Sequence, residues 1–166
     1  MPALEAGVQA PEIELQFLDG QKFSLKEARK NGPVVAAFFK VSCPVCQMAA
    51  PYLDRIFKAY QKSGKFTFIG VSQDNAADTQ AFNKRFGVTF PVLLDPAGKY
   101  LVSNAYGLTN VPTTFLISPE GEIQFSTVSW SKADMEQLNR RLAMVSLESV
   151  VPVFQPGEKV SEFKPG

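Results

Sequence analysis

An unbroken apolar run, Val34–Phe39, restricts the fold of this chain more than any other segment. It lies between Pro33 and Lys40 and contains valine, alanine and phenylalanine but no polar residue. A strand with one face in water would alternate apolar and polar residues, so this run predicts a central strand that is buried on both faces. Such a strand needs a layer of structure on each side, which favours an α/β fold with helices flanking a sheet.

Strands and helices are predicted in alternation along most of the remaining sequence. Near its start, Ile13, Leu15 and Phe17 alternate with polar residues, and the turn pair Asp19-Gly20 predicts an N-terminal β-hairpin. Further strands are expected at 66–71, 90–94, 113–118 and 122–127, and helices at 24–31, 44–62, 75–86, 96–104 and 131–144. A short connection makes the last two strands a second hairpin. The pattern predicts one α/β domain, residues 1–146, with a mixed central sheet.

Residues 147–166 are predicted to form an extended C-terminal tail beyond this domain. The segment contains several prolines and has no helical period. Its apolar residues predict that it packs against the domain: Val150, Val151, Val153 and Phe154.

The composition excludes several kinds of chemistry. The sequence has no histidine, which excludes Ser-His-Asp and Cys-His nucleophile activation and nearly every catalytic zinc arrangement. Its two cysteines are Cys43 and Cys46, so we expect no metal site built from cysteine and histidine within the chain. With 17 basic and 16 acidic residues the formal net charge is +1, which indicates neither a nucleic-acid partner nor an anionic membrane surface.

No segment of the sequence is predicted to insert into a membrane, because a spanning helix needs roughly 20 apolar residues. The residues up to Gly20 include no lysine or arginine and no continuous apolar stretch, so they are not expected to be a secretory signal. The sequence as written therefore predicts a cytoplasmic protein, or a periplasmic or other extracytoplasmic one if a signal segment was removed. We expect a monomer.

The two cysteines form the motif Cys43-Pro44-Val45-Cys46, between the buried strand and the next predicted helix. Residues i and i+3 of a helix lie roughly 5–6 Å apart at Cβ, and a disulfide needs about 3.5–4.5 Å, so a small adjustment closes the pair. Backbone N–H groups at the helix N-terminus favour the Cys43 thiolate, and Pro44 suits the first helical position. Cys46, one turn further on, is expected to be more buried. The spacing predicts that Cys43 attacks a disulfide and Cys46 resolves the mixed disulfide.

Three alternatives to a redox role for the cysteine pair are a structural disulfide, half of a metal site, and coincidence. A disulfide that closes so small a loop removes little chain entropy, and a metal site would need ligands from a second chain. The strand-CxxC-helix context favours redox function instead. We therefore expect a thiol-disulfide oxidoreductase that needs no cofactor beyond a redox-active Cys43–Cys46 disulfide.

These motifs resemble those of the thioredoxin superfamily. The resemblance rests on CPVC between a strand and a helix, on Pro51 after the second cysteine, and on Val111-Pro112-Thr113 before a strand. It is closer to TlpA-type thiol-disulfide oxidoreductases, relatives of the alkyl-hydroperoxide-reductase and thiol-specific-antioxidant type of peroxiredoxin. It covers about residues 8–145, through APEIELQFLDGQKFSL, GVSQDNAADTQAFNKRFGVTFPVLLDP and YGLTNVPTTFLISPEGEI. It implies a thioredoxin-like fold with residues 75–86 as the inserted helix.

The resemblance also implies a substrate-binding region. Pro112 would be the family's cis-proline, opposite the cysteine pair, where a cis X-Pro bond turns the chain tightly. The alternative is an ordinary trans proline at the start of a strand. The backbone of Val111 would pair with an extended substrate segment. The other expected substrate-binding residues flank Cys43: Ser42, Pro44 and Val45. The implied partners are a protein or small-molecule disulfide and an unidentified electron donor.

The sequence departs from the family pattern at three positions. The family usually has tryptophan before the first cysteine, and many members have an acid six residues before it or three residues after the second. At these three positions this chain has Ser42, Ala37 and Ala49, respectively. Water or another acid must therefore accept the proton of Cys46, or exchange is slow. The other nearby acids in the sequence are predicted to cap helices or face solvent: Asp74, Asp78 and Asp95.

A peroxiredoxin-like peroxidase is the first alternative function. Peroxiredoxins use a Pro-x-x-x-Thr/Ser-x-x-Cys loop, in which the last residue attacks the peroxide. Alignment on Cys46 puts Phe39 at the proline position and Cys43 at the threonine position, so two parts of the pattern are missing. Peroxide consumption that depends on Cys46 would support this alternative.

A non-catalytic binding module with the same fold is the second alternative. The absence of the usual tryptophan and acids fits such a module. Trp130, Tyr106 and Val111 would then be exposed apolar residues that form a surface for a partner. The observation that separates it from an enzyme is whether Cys43→Ser abolishes disulfide reduction while it leaves partner binding intact.

Overall fold

The structure is a computed structural model, and it describes residues 3–166. The strands are β1 (Glu14–Phe17), β2 (Lys22–Ser24), β3 (Val34–Phe39), β4 (Thr67–Ser72), β5 (Val92–Leu94), β6 (Thr113–Ile117), β7 (Ile123–Val128), β8 (Trp130–Ser131) and β9 (Phe163–Lys164). The helices are α1 (Leu25–Ala28), α2 (Pro44–Tyr60), α3 (Ala76–Phe86), α4 (Leu101–Ala105) and α5 (Lys132–Val145). Within residues 3–166, no helix is both long and apolar enough to span a bilayer.

A seven-stranded mixed sheet in the order β2-β1-β5-β4-β3-β6-β7 forms the centre of the molecule. Strands β3, β4 and β5 run parallel, and the remaining neighbours are antiparallel. The predicted hairpins, β1–β2 and β6–β7, form the two edges of this sheet. Helix α3 connects β4 to β5, which is the expected place of the inserted helix. The predicted thioredoxin-like α/β fold is therefore confirmed.

Strand β3 lies inside the sheet and is buried along its whole length, as its apolar run predicts. Alternate side chains enter two separate cores on opposite faces of the sheet. One core receives Val35, Ala37 and Phe39 together with residues of α2 and α5. The other receives Val34, Ala36 and Phe38 together with residues of α1 and α4. Helices on both faces therefore hold the carboxyl end of β3, where the cysteine motif begins.

Local sequence signals set the ends of most helices. Ser24, Asn75 and Ser131 each accept a hydrogen bond from a backbone N–H in the first turn of α1, α3 and α5. Gly87 ends α3 in a left-handed conformation, with φ of 71°, which glycine adopts without steric cost. These caps agree with the predicted starts of these helices and with the predicted end of α3.

Helix α2 runs through Pro51 to Tyr60, within the predicted range 44–62, but two other elements start later than predicted. Strand β5 begins at Val92 rather than Phe90, because Pro91 has no N–H to donate to the ladder. Helix α4 begins only at Leu101, after a turn that follows Asp95.

The tail, residues 147–166, packs against α2 and the neighbouring aromatic residues. Val153 is buried in the core on the α2 face. Phe154 lies against Tyr52 and Trp130, with ring centroids 5.3 and 6.1 Å away. The division of the chain into a domain, residues 1–146, and a tail, residues 147–166, stays a prediction.

Val150 and Val151 do not make the apolar contacts that were expected of them, since they are 54% and 48% exposed. The backbone of Val151 is held instead. Its N–H donates to the hydroxyl of Tyr60 at 2.9 Å, and its carbonyl accepts from the amide of Asn139 at 2.7 Å. Polar side chains of α2 and α5 therefore fix the start of the tail.

Candidate active site

Cys43 occupies the N-terminus of α2, as predicted. It is the N-cap residue, and Pro44 takes the first helical position. The sulfur of Cys43 accepts a hydrogen bond from the backbone N–H of Cys46 at 3.2 Å. Cys43 is partly exposed, whereas Cys46 is only 2% exposed. Of the two cysteines, Cys43 is therefore the one that has solvent-exposed surface.

The thiol of Cys46 is held in its protonated form. Burial raises its pKa most, because an apolar environment disfavours a charged sulfur. The hydrogen bond and charge of Cys43 and the charge of Asp74 raise it further, and a hydrogen bond with the backbone of Lys40 acts in the opposite direction. Cys46 is therefore a poor first nucleophile.

The surroundings of Cys46 explain why its burial has so large an effect. Ala37, Ala49 and Pro112 line a small apolar cavity beside the Cys46 side chain. Ala37 and Ala49 are the positions where related proteins often have acids. No acidic residue lines this cavity in the part of the chain that the structure describes.

Val111 and Pro112 lie beside the cysteine motif, because the start of β6 pairs with the end of β3. The Val111-Pro112 peptide bond is cis, as the resemblance implies. The thiol of Cys43 donates to the carbonyl of Val111 over 3.5 Å. Asn110 supports this loop, since its amide donates to the hydroxyl of Ser129 and its carbonyl accepts from Thr113, both at 2.8 Å.

The remaining predicted substrate-binding residues are neighbours of Cys43 in the sequence. Ser42 and Pro44 are exposed, and Val45 is half-buried. Their role in binding stays a prediction.

Asp74 belongs to the site although the sequence analysis assigned it to a helix cap or to solvent. Its carboxylate accepts a hydrogen bond from the backbone N–H of Val41 at 2.8 Å, and the carbonyl of Val41 accepts from the Gln47 side chain at 2.9 Å. Asn75, not Asp74, caps α3. The position of Asp74 just after β4, beside the end of the parallel strand β3, is the signal that could have identified it.

The other two acids have the structural role that was predicted, although Asp95 is fully buried rather than solvated. The carboxylate of Asp95 accepts hydrogen bonds from the backbone of Val102 and Ser103 at the start of α4. Asp78 lies in the first turn of α3. Within residues 3–166, no cluster of three or more histidine, cysteine, aspartate or glutamate residues is arranged to hold a metal ion.

Comparison with known proteins identifies the family. The model of the AhpC/TSA family matches residues 6–126. The chain belongs to this family. Among its relatives, the thiol-disulfide oxidoreductase ResA of Geobacillus thermodenitrificans is 32% identical over 152 residues, which cover 90% of this chain and 80% of that protein. The thioredoxin-like protein YneN of Bacillus subtilis is 30% identical over 139 residues, covering 81% of this chain and 78% of that one.

Solved structures have the same fold as this AhpC/TSA-family chain. The thioredoxin domain of a thiol-disulfide oxidoreductase from Bacteroides vulgatus matches with a TM-score of 0.73 and 26% identity. The match covers 84% of this chain and 98% of that domain. The predicted resemblance to the thioredoxin superfamily is therefore confirmed.

The prediction that Trp130 and Tyr106 are exposed is wrong for this AhpC/TSA-family chain. Trp130 is 1% exposed, because the tail covers it and its indole N–H donates to the carbonyl of Ser161 at 2.7 Å. Tyr106 is fully buried beside Phe38, and its hydroxyl donates to a backbone carbonyl. The partner surface expected of a binding module is therefore not formed by these two residues.

Replacing Asp74 by asparagine is expected to lower the pKa of the Cys46 thiol. Asp74 carries a negative charge that disfavours the Cys46 thiolate, and asparagine removes that charge while it keeps an oxygen for Val41. At a fixed pH below the pKa, alkylation of Cys46 should become about twofold to fivefold faster, as expected for one charge acting through partly aqueous surroundings. The measurement is the pH dependence of alkylation in a Cys43→Ser background, where Cys46 is the remaining thiol.

Asp78→Asn is the matched control, since this neighbouring acid is not among the groups that act on Cys46. It should leave the alkylation profile of Cys46 unchanged. An unchanged profile in Asp74→Asn, or a shift to higher pH, would contradict the role of the Asp74 charge.

Proposed function

We propose that this chain exchanges a Cys43–Cys46 dithiol or disulfide with disulfides of protein or small-molecule partners, with Cys43 as the nucleophile and Cys46 as the resolving thiol. The predicted class, thiol-disulfide oxidoreductase, is confirmed by the similarity to ResA, a protein of that class whose match covers 90% of this chain. The roles of the two cysteines rest on one observation. The sulfur of the half-exposed Cys43 accepts the N–H of Cys46, while Cys46 itself is buried with a raised pKa.

Each step of the reduction balances in atoms and electrons. The Cys43 thiolate attacks one sulfur of the substrate disulfide, forms a mixed disulfide and releases the other substrate sulfur as a thiolate. Cys46 then gives its proton to solvent and attacks the sulfur of Cys43, which releases the second substrate sulfur as a thiolate. The two released substrate thiolates take up the two protons that the dithiol loses. The substrate gains two electrons and the chain is left with a Cys43–Cys46 disulfide. A dithiol donor reverses this change, and the cysteine pair is the only redox group that the cycle requires.

The environment of Cys46 changes during this cycle. In the resting dithiol its thiolate is disfavoured by burial and by the neighbouring sulfur of Cys43. Once Cys43 is part of a mixed disulfide it no longer carries a charge, so one of the influences that raise the Cys46 pKa is removed. The second attack is therefore favoured only after the first has occurred.

The substrate would bind between two segments that meet at Cys43. Ser42, Pro44 and Val45 flank Cys43 in the sequence, and Val111 and Pro112 precede β6, the strand that pairs with β3. The hydrogen bond from Cys43 to the carbonyl of Val111 supports this arrangement. An extended chain that pairs with the backbone of Val111 would bring its disulfide to the sulfur of Cys43.

The peroxidase alternative is less favoured by the same geometry. Cys46 would have to attack the peroxide, but its side chain is almost wholly buried and its pKa is raised. The binding-module alternative leaves the accessible sulfur of Cys43 at the N-terminus of α2 without a role.

A redox titration tests the proposal. In a graded glutathione or dithiothreitol buffer, the chain should convert between dithiol and disulfide in one two-electron transition, which is measured as the loss of alkylatable thiols. A midpoint near or below about −270 mV would assign it as a reductant, and one near −120 to −180 mV as an oxidase or isomerase. The Cys46→Ala variant, which has one thiol, should show no intramolecular transition. Absence of a reversible transition in the parent chain would overturn the proposal.

A further inference from the structure

The end of the tail crosses the surface beside Cys43. We call residues 161–166 the strap. The carbonyl of Ser161 accepts the indole N–H of Trp130 at 2.7 Å, and the carbonyl of Glu162 accepts the N–H of Lys132 at 2.9 Å. Phe163 and Lys164 then form the two-stranded sheet β8–β9. The strap is therefore held as an added strand on Trp130–Ser131.

Beyond this sheet the strap reaches the cis-proline loop. The N–H of Gly166 donates to the hydroxyl of Ser129 at 3.1 Å. The backbone of Gly166 lies so close to Val111 that any added Cβ would overlap the Val111 carbonyl oxygen and touch the ring of Pro112. The thiol of Cys43 donates to this same carbonyl. The strap therefore occupies the place where an extended substrate would pair with Val111.

The contacts of the strap are made almost entirely by its backbone. Phe163 is 61% exposed, and the side chains of Lys164 and Pro165 also face solvent. Since backbone pairing does not depend on the side chains of the added strand, another extended peptide could make the same hydrogen bonds. The surface that holds the strap therefore fits an extended polypeptide of varied sequence.

The strap differs from the part of the tail before it, which is anchored by side chains. Arg55 donates to both carboxylate oxygens of Glu158 at 2.7 and 2.8 Å, and these hydrogen bonds lower the pKa of Glu158 to about 2. Val153 is buried. Segments with few buried contacts open at low free-energy cost, so the strap can leave while residues 151–158 stay in place.

We propose that residues 161–166 are a removable intramolecular occupant of the substrate-peptide site, which an extended disulfide-containing polypeptide must displace before it reaches Cys43. This inference rests on the proposed function, because it assumes that Cys43 attacks substrate disulfides. A small disulfide needs no pairing with Val111 and reaches the partly exposed sulfur with the strap in place. The strap thus lowers the rate with polypeptide disulfides and leaves the rate with small disulfides unchanged.

The test compares two variants at one position. Lys164 lies opposite Trp130 in the antiparallel β8–β9 ladder. Hydrogen-bonded and non-hydrogen-bonded pairs alternate in such a ladder. Since Lys132 and Glu162, two positions further along, are hydrogen-bonded, Lys164 and Trp130 are also a hydrogen-bonded pair. Lys164→Pro removes the N–H of that pair, whereas Lys164→Ala removes the same side chain and keeps the N–H. The substrates are a peptide dimer joined by one disulfide and the small disulfide bis(2-hydroxyethyl) disulfide, with dithiothreitol as electron donor and the uncatalysed rate subtracted.

Lys164→Pro should raise kcat/KM for the peptide dimer about fivefold, which corresponds to the loss of one backbone hydrogen bond from the docked strap. It should leave kcat/KM for the small disulfide unchanged, and Lys164→Ala should resemble the parent on both substrates. Trp130 is the single tryptophan, so a red shift of its emission reports release of the strap directly.

A second, independent variant is Gly166→Val, whose side chain would overlap the carbonyl of Val111, and it should have the same selective effect. The inference is overturned if neither variant raises the rate with the peptide, or if both substrates accelerate equally. A parent chain that reduces neither substrate would instead overturn the proposed function, so the two failures are distinguishable.

Discussion

Replacing Cys43 by serine should lower the rate of disulfide reduction by a factor on the order of 10³ or more, as expected when an enzyme loses its nucleophile. The sulfur of Cys43 is the accessible member of the pair, and it is the one that receives the backbone N–H of Cys46. Cys46 cannot take over, because it is buried and its pKa is raised. The measurement is kcat/KM for the small disulfide with dithiothreitol as donor.

The structure makes this variant informative, because serine is among the residues preferred at a helix N-cap. Cys43 occupies that position in α2, so the variant should fold and melt like the parent. A loss of activity with an unchanged Tm would then report chemistry rather than unfolding. Substantial remaining activity would contradict the assignment of Cys43 as the nucleophile. Peptide binding that persists without turnover would not support a binding module by itself, since the substrate site does not depend on this sulfur alone.

The fold could be predicted because its main signals are local. The run Val34–Phe39 has no polar residue, and that alone indicates a strand with cores on both faces. Ser24, Asn75 and Ser131 mark helix starts because their side chains bond to N–H groups three residues away. The same is true of Cys43, whose place at the start of α2 follows from a strand, a turn and a proline in the sequence.

The part of the site that could not be predicted depends on register between distant strands. Phe39 pairs with Ser72 in the parallel ladder of β3 and β4, so Val41 and Asp74 each lie two residues beyond this pair. That register brings the Asp74 carboxylate to the N–H of Val41. The sequence around Asp74 contains only a local signal, a possible helix cap, and Asn75 is equally suited to it. A non-local contact therefore determines which of two adjacent residues belongs to the site.

The burial of Trp130 was missed for a related reason. Composition and periodicity indicate which residues are apolar, but not which later segment covers them. Trp130 is covered by Phe154 and by the strap, which both follow helix α5 in the sequence. The tail was expected to pack through Val150, Val151, Val153 and Phe154, and in the structure only Val153 and Phe154 join the core. The apolar pattern predicted that the tail packs, and the structure identified which of these four residues do so.

The Cys46→Ala variant should accumulate a stable mixed disulfide, close to one equivalent per chain, when it is mixed with the peptide dimer in the absence of dithiothreitol. Cys43 remains able to attack, but the chain then has no second thiol to resolve the intermediate. Alanine is preferred to serine because Cys46 faces an apolar cavity lined by Ala37, Ala49 and Pro112, where a hydroxyl without a partner would cost about 1–3 kcal/mol. Intact mass spectrometry measures the adduct, as the mass of the chain plus one peptide.

The single-cysteine variants together separate the three functional hypotheses. Cys43→Ser keeps one thiol as Cys46→Ala does, so it is the matched control, and it should form almost no adduct because Cys46 is buried. An adduct on Cys46 in that control, or peroxide consumption by it, would reverse the roles and support a peroxidase. A lack of adduct in both variants would mean that neither sulfur attacks a disulfide. Since Cys43 is the partly exposed member of the pair and Cys46 is buried, an adduct confined to Cys46→Ala is the outcome that the geometry of the pair predicts.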